Sequence, residues 1–208
     1  MIVCYTVPMK SANINDVFKM IDTKISQNFR IVIAIDGHSA AGKSTLSGII
    51  SSAYFEKCSV IHMDDFFLPT HLRTEERLQE IGGNIDYDRF FKEIICHISS
   101  QKPFQYGKFN CQTMSVTENI TVFPKEITII EGVYSMHPRF GNYSNIKLFL
   151  DIEKKEQSSR ILKRNGIEKL NRYLGTWIPM ENNYFYKYKI KENSDISLCI
   201  NKSHDNIS

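Results

Sequence analysis

Five short apolar runs punctuate the chain, and polar or turn-forming residues bound each of them. They cover residues 31–35, 59–63, 127–130, 146–150 and 195–200. Short runs rich in isoleucine, valine and leucine are typical of strands that are buried on both faces of a parallel sheet. The pattern therefore predicts a mostly parallel sheet of five strands.

Helical periodicity fills the intervals between these runs. Apolar residues recur every three or four positions over residues 14–25, and helices are also predicted over 44–54, 90–98 and 153–164. A further short edge strand is predicted at residues 1–7. Strands that alternate with helices predict an α/β protein in which helices cover both faces of the sheet.

Composition narrows the class of protein. A length of 208 residues predicts a single domain, and the hydrophobic fraction of 42% and charged fraction of 24% are typical of globular proteins. A net charge of +3 predicts no nucleic-acid partner, and no apolar run is long enough to span a membrane. Without a leader-like start, the chain is expected to be cytoplasmic. The five cysteines form no C-x-x-C pair, which disfavours a disulfide framework and a zinc site.

The first apolar run leads directly into a phosphate-binding loop of the pattern G-x-x-x-x-G-K-S/T. Glycines let main-chain amides approach a polyanion closely, and the following helix contributes the positive end of its dipole. Lys43 is expected to reach the β- and γ-phosphates, and Ser44 to bind Mg²⁺. ATP and Mg²⁺ are thus the predicted cofactors. The predicted ATP-binding residues are Gly37, His38, Ser39, Ala40, Ala41, Gly42, Lys43, Ser44 and Thr45.

Acidic residues follow the later apolar runs, and the carboxyl ends of parallel strands are where ligands bind in such sheets. Asp64 or Asp65 is a candidate base for an incoming hydroxyl, and adjacent strand residues point to opposite faces, so one of them faces the loop. Glu131, followed by Gly132, is a candidate Mg²⁺ ligand. Alternatively, these carboxylates only begin loops. A single acid at this strand end favours a kinase over a hydrolase.

A cationic cluster lies on the helix predicted at 153–164. Arg160, Lys163 and Arg164 are spaced i, i+3 and i+4, so Arg160 and Arg164 are predicted to act catalytically from a lid over about residues 153–170. Alternatively, they are cations in the last turn of a helix that stops at Asn165-Gly166.

Histidines and aromatic residues supply candidates for an acceptor pocket. His137 precedes a proline and either lines this pocket or is an exposed turn residue, whereas His62 is expected to be a packed strand residue. Candidates for stacking a base, each of which could instead pack in the core, are Tyr106, Tyr134, Trp177, Tyr184 and Tyr186.

Together these stretches resemble the uridine kinase family of P-loop small-molecule kinases, which includes nicotinamide riboside kinases and, more distantly, phosphoribulokinase and pantothenate kinase. The matching segments occur in the family's order. They are residues 35–45, 63–67, 84–88, 130–134 and 160–164.

The resemblance implies a three-layer α/β/α P-loop nucleoside triphosphate hydrolase fold with a small helical lid. It also implies that Asp64 is the base for a ribose 5′-hydroxyl, that Asp86 or Asp88 binds the ribose hydroxyls, and that Tyr106 contacts a pyrimidine. The predicted acceptor-binding residues are Asp65, Asp86, Tyr87, Asp88, Tyr106 and His137.

The expected function is ATP-dependent phosphorylation of the primary hydroxyl of a nucleoside-like small molecule, with uridine or cytidine favoured. Two alternatives remain open: a kinase for another alcohol, such as nicotinamide riboside or pantothenate, and a nucleotide-binding regulator without catalysis. The sequence leaves the oligomeric state open, so a homo-oligomer is compatible with it.

Overall fold

A computed structural model of the protein describes residues 12–28 and 30–199. The edge strand predicted at residues 1–7 lies outside this part of the chain. The strands of the described part are β1 (Ile31–Gly37), β2 (Cys58–His62), β3 (Phe104–Asn110), β4 (Ser115–Val122), β5 (Ile127–Glu131), β6 (Ile146–Asp151) and β7 (Ile196–Cys199).

Helices connect most of these strands. They are α1 (Ile14–Gln27), α2 (Lys43–Ala53), α3 (Glu75–Gln79), α4 (Tyr87–Phe90), α5 (Lys154–Arg172) and α6 (Ile178–Tyr188). Short 3₁₀ turns lie at Met63–Phe66, Thr70–Leu72 and Pro138–Phe140, and π-helical turns extend α4 through Phe91–Ile95 and α5 through Tyr173–Trp177.

The central sheet confirms the predicted α/β class. Five parallel strands are ordered β2-β5-β1-β6-β7. One face of the sheet packs against α1 and α2 through residues such as Ile21 and Leu46, and the other packs against a cluster that includes Phe66, Phe90 and Tyr184. Because β1 lies between β5 and β6, the phosphate loop that follows β1 starts at the middle of the sheet.

A two-stranded antiparallel hairpin, β3–β4, was not predicted. It forms a sheet of its own and packs against the 3₁₀ turn Met63–Phe66 and the π-helical turn Phe91–Ile95. Most residues of β4 are exposed and polar, so this strand has no apolar run to indicate it. The helix predicted at 90–98 instead begins at Tyr87 and ends its π-helical turn at Ile95.

The predicted lid segment is helical but bent. Gly166 interrupts α5 with φ 79° and ψ 174°, and the chain then resumes helical structure through α6. The predicted stop at Asn165-Gly166 is therefore a bend within a longer helical segment. None of the helices in residues 12–28 and 30–199 combines the length and apolar character needed to cross a membrane.

Candidate active site

The phosphate loop curls between β1 and α2. Gly37 and Gly42 have φ values of 135° and 98°, and Gly42 is the residue that caps the N-terminus of α2. A Cβ atom on Gly37 would lie 2.1 Å from the carbonyl oxygen of Leu150, so only glycine fits there. The eleven-residue helix α2 therefore directs its N-terminus toward the space inside the loop.

Lys43 is the cation of this loop. Its side chain is buried, and its Nζ donates hydrogen bonds of 2.9 Å to the carbonyl oxygens of Gly37 and His38. Ser44 and Thr45, the next two residues of α2, are exposed. The predicted ATP-binding residues thus form the loop and the first turn of α2.

Asp36 was not predicted as a site residue, but its side chain forms hydrogen bonds that hold the start of the phosphate loop. Its fully buried carboxylate accepts hydrogen bonds from the Gly37 amide (2.7 Å), the Met136 amide (3.0 Å) and the Tyr184 hydroxyl (2.8 Å). Burial raises the pKa of Asp36, and these donors act in the opposite direction. The available signal for this role was an aspartate placed between the first apolar run and the first glycine of the phosphate loop.

Asp64 and Asp65 lie in the 3₁₀ turn after β2 and not on a strand, which corrects the expected strand alternation. The turn nevertheless separates them. Asp65 is buried and accepts a 2.9 Å hydrogen bond from the Tyr106 hydroxyl, whereas Asp64 is exposed. The protein around Asp64 displaces bulk water and raises the pKa of its carboxyl, although the nearby Lys43 ammonium acts to lower it.

Glu131 ends β5 beside the start of α2. Ser44 Oγ donates a 3.0 Å hydrogen bond to Glu131 Oε1, and His62 Nδ1 lies 2.6 Å from the same oxygen. Burial is the largest single effect and opposes ionisation of Glu131. The hydrogen bond and charge of His62, the hydrogen bond from Ser44 and the charge of Lys43 together outweigh it, so the pKa of Glu131 is lowered. The hydrogen bond between His62 and Glu131 is also the main reason why the pKa of His62 is raised.

His62 was therefore wrongly expected to be a packed strand residue. Its side chain is 48% exposed and pairs with Glu131. The reason is its place at the end of the edge strand β2, where it is in register with Glu131 of β5. This pairing of strand ends was not available from the sequence alone.

Two acidic residues at the start of α4 border a cavity. Asp86 and Asp88 line a space of about 310 Å³ together with Arg77 and Arg139. Asp86 also caps α4, because its Oδ1 accepts a 3.1 Å hydrogen bond from the Arg89 amide. The ring of Tyr87 is buried, and its hydroxyl donates to the Ile81 carbonyl oxygen.

Arg89 joins three parts of the site. Nothing in the sequence predicted this role. Its guanidinium donates to the carbonyl oxygens of Gly107 in the hairpin and Asp65 in the 3₁₀ turn. It also lies 4.5 Å from the ring centroid of Phe66. One side chain thereby holds the hairpin and the 3₁₀ turn to α4.

Tyr106 and His137 lie in the core and not on an open surface, which differs from their expected place beside an acceptor. Each is 3% exposed. The Tyr106 ring stacks on Phe66 with centroids 5.3 Å apart, and the His137 ring stacks on Tyr184 at an interplanar angle of 7°. The apolar surroundings of both rings make burial more favourable than exposure.

The burial of His137 predicts a pH-dependent stability. Burial lowers its pKa from 6.5 to about 4. The His137 ring binds a proton more readily in the unfolded chain than in the folded protein. The free energy of unfolding is therefore highest above the pKa of the unfolded state and decreases as the pH falls toward the pKa of the folded state. From pH 7 to pH 5, His137 is expected to remove about 2 kcal/mol from the free energy of unfolding.

Urea unfolding of His137→Phe at the two pH values measures this contribution, because phenylalanine keeps the ring and does not titrate. The variant should lose less stability on acidification than the unsubstituted protein. Equal losses in both proteins would contradict the expected role.

The two arginines predicted to act from a lid, Arg160 and Arg164, differ in what they contact. Arg160 pairs with Glu156 at 2.8 Å and donates through Nη1 to the Ala40 carbonyl oxygen of the phosphate loop at 3.3 Å. Arg164 is exposed and donates to Asn165 Oδ1 at 2.8 Å. The structure therefore brings Arg160 to the loop, while Arg164 lies at the protein surface just before the bend at Gly166.

A parallel sheet in this strand order, with a phosphate loop at its centre, defines a P-loop kinase fold. Kinases of this class bind nucleotides and transfer phosphoryl groups.

Comparisons with known proteins confirm the resemblance to uridine kinase-like P-loop kinases. A uridine kinase from Clostridium perfringens is 28% identical over 174 residues, which cover 74% of this chain and 80% of that protein. A solved structure described as a possible uridine kinase from Bacillus stearothermophilus has a TM-score of 0.62 at 18% identity, with coverage of 88% of this chain and 99% of that one.

D-glycerate 3-kinase from Cryptococcus neoformans shares the fold as well, with a TM-score of 0.60 at 12% identity over 92% of this chain and 96% of that one. No protein-family model matches the chain. The sequence relatives support kinase activity, and the solved structures show the shared fold.

Proposed function

We propose that the protein transfers the γ-phosphoryl group of ATP to the primary hydroxyl of a nucleoside-like small molecule, with uridine or cytidine favoured. One observation carries the proposal: the phosphate loop, Glu131 and the exposed Asp64 lie at the carboxyl ends of three adjacent parallel strands, β1, β5 and β2. The relatives named uridine kinase support the choice of acceptor.

The two ends of this arrangement would do different work. Lys43 would move from the loop carbonyls to the phosphates and offset the charge that develops on the transferred group. Asp64, on the exposed side of the turn, would accept the proton of the attacking hydroxyl. Asp65 is unsuited to that task because it is buried and bound by Tyr106.

The chain also offers a fitting pair of ligands for Mg²⁺. The Ser44 hydroxyl and the Glu131 carboxylate lie 3.0 Å apart, and magnesium prefers oxygen ligands of these kinds. When bound with ATP, the ion would neutralise phosphate charge. Ser44 and Glu131 would hold it at the rim of the loop.

The acceptor would be selected by groups beside Asp64. Arg89 fixes α4 to the 3₁₀ turn that carries Asp64, so Asp86 and Asp88 keep a set position relative to the proposed base. Carboxylates are suitable acceptors for the paired hydroxyls of a ribose. We assign the acceptor side to this region, with Asp86 and Asp88 as alternatives for the ribose contact.

A mass-spectrometric screen tests the proposal. The protein is incubated with ATP, Mg²⁺ and one alcohol at a time: uridine, cytidine, nicotinamide riboside, pantothenate and D-glycerate. We expect uridine or cytidine to gain one phosphate. Phosphorylation of another alcohol alone would retain the kinase but change its acceptor, and ATP binding without any phosphorylated product would favour a regulator.

Glu131→Gln tests the proposed ion ligand. The amide keeps the shape of the side chain but removes its charge, so the Mg²⁺ concentration for half-maximal activity should rise about 10- to 100-fold. A titration of activity with Mg²⁺ at saturating ATP measures the change. Glu126→Gln is the matched control, because Glu126 directly precedes β5 at the amino-terminal ends of the strands, away from the site. Its Mg²⁺ titration should match that of the unsubstituted protein. An unchanged Mg²⁺ requirement in Glu131→Gln would argue against the assignment.

A further inference from the structure

Helix α6 contacts the phosphate-loop region through two side chains that lie three residues apart and so on one face of the helix. Tyr184 donates to Asp36, just before the loop, as described above. Glu181 reaches into the loop itself. Its carboxylate accepts a 3.0 Å hydrogen bond from the Ser39 amide and a second from the Ser39 hydroxyl.

Helix α5 completes the contacts of Ser39. Gln157 Nε2 donates a 3.0 Å hydrogen bond to the Ser39 carbonyl oxygen. Gln157 and Glu181 are 4% and 5% exposed, so both polar groups are buried against the loop. The amide, the hydroxyl and the carbonyl of one loop residue are therefore all bound by side chains of α5 and α6.

The residue that follows explains why such support is needed. Ala40 has φ 62°, a left-handed conformation that a residue with a Cβ adopts only at a cost. Arg160 of α5 binds the Ala40 carbonyl oxygen. Hydrogen bonds on both sides of the strained residue hold the loop in the curled form that a polyanion requires.

The charge of Glu181 has opposing effects at this site. A carboxylate here attracts the Lys43 ammonium but repels the phosphates that the loop is built to receive, so its value to ATP binding lies in accepting hydrogen bonds. Burial is the largest effect on the pKa of Glu181 and raises it, although Lys43 and the hydrogen bonds from Ser39 act to lower it. A neutral side chain of the same shape should therefore replace it.

We propose that Glu181 is a positioning residue for ATP binding, which holds the phosphate loop through the amide and hydroxyl of Ser39 and thereby ties the loop to helix α6. This inference rests on the proposed function, because it assumes that the loop binds ATP. It adds a residue of α6 to the groups that hold the phosphate loop.

The test compares Glu181→Ala with Glu181→Gln. Affinity is measured by titration with ATP itself in a calorimeter, and the thermal midpoint of each variant is measured without nucleotide. Glu181→Ala loses both acceptors, and we expect the Kd for ATP to rise about 10- to 100-fold. Glu181→Gln keeps an acceptor, and we expect its Kd to stay within about threefold of the unsubstituted protein.

Ser39→Ala provides a milder variant that deletes one oxygen. It loses the hydroxyl contact but keeps the amide contact, so its Kd should rise about three- to tenfold. This variant and Glu181→Gln decide the question if Glu181→Ala does not fold. Glu126→Ala serves as the control. It breaks an exposed pair with Lys57 at the amino-terminal ends of the strands, and we expect its Kd for ATP to be unchanged.

Two results would overturn the inference alone: a lower thermal midpoint in Glu181→Ala with an unchanged Kd, or an equal loss of affinity in Glu181→Gln. An unchanged Kd in Ser39→Ala would overturn the contact through its hydroxyl. Failure of the unsubstituted protein to bind ATP would instead overturn the proposed function, and this inference with it.

Discussion

Lys43→Ala is expected to lower kcat/KM for ATP by about two to three decades. The ammonium is the cation that the phosphate loop holds at its centre, bound to the Gly37 and His38 carbonyl oxygens. A cation that contacts the phosphates acts both in the bound complex and in the transition state. The substitution should therefore raise KM for ATP and lower kcat together.

Steady-state kinetics with ATP as the varied substrate measure both parameters, and calorimetry gives the ATP affinity separately. Lys57→Ala is the matched control, because Lys57 is exposed and pairs only with Glu126 among the ion pairs of the described residues. Its kinetics should equal those of the unsubstituted protein. Unchanged kinetics in Lys43→Ala would remove the assignment of the phosphate loop.

Asp64→Asn is expected to lower kcat by about two to four decades, while the affinity for ATP stays nearly unchanged. The asparagine has the same shape but cannot accept a proton, and the loop that binds the nucleotide is left intact. Such a split between turnover and binding is the expected mark of a general base.

The pH profile adds a second measurement for Asp64. A base acts in its deprotonated form, so activity should fall as the pH drops through the pKa of the carboxyl. Because displacement of water around Asp64 raises this pKa, the fall should occur at a higher pH than for an ordinary aspartate. The residual activity of Asp64→Asn should lack this acid limb.

Asp65→Asn is the control for the choice between the two neighbours. Asp65 accepts the Tyr106 hydroxyl, and its amide variant can still accept that hydrogen bond through its oxygen. The variant should retain most of the turnover. If Asp65→Asn loses two decades of kcat and Asp64→Asn does not, the proposed roles of the two aspartates are reversed.

The sequence predicted the parts of the fold that depend on local pattern. The five parallel strands follow from continuous apolar runs, and α1 follows from helical periodicity. The phosphate loop follows from a pattern in which glycine spacing has a direct physical meaning. These features need no knowledge of distant contacts.

Other features depend on contacts that no local pattern specifies. The hairpin was missed because the exposed residues of β4 are mostly polar. The burial of Tyr106 and His137 was missed because it depends on aromatic rings that are distant in the chain. Glu181 lies 142 residues from Ser39 in sequence, so only the folded chain could reveal this pair.

The roles of Asp64 and Asp65 fall between these cases. The sequence indicated that one of the two faces the loop, and the structure supplied the difference by burying Asp65 against Tyr106. The reason is tertiary, because the hairpin that carries Tyr106 covers one side of the 3₁₀ turn and leaves the other open.

The bend at Gly166 makes the direction of the chain between α5 and α6 depend on a single residue. Its φ and ψ values fall in a region that is accessible almost only to glycine. A Cβ atom built at Gly166 meets no obstructing atom within 4 Å, so the backbone conformation, and not a lack of space, disfavours other residues there. A missense mutation of Gly166 would favour an unbent helix. The new direction would move α6, which carries Glu181 and Tyr184, away from the partners of these side chains.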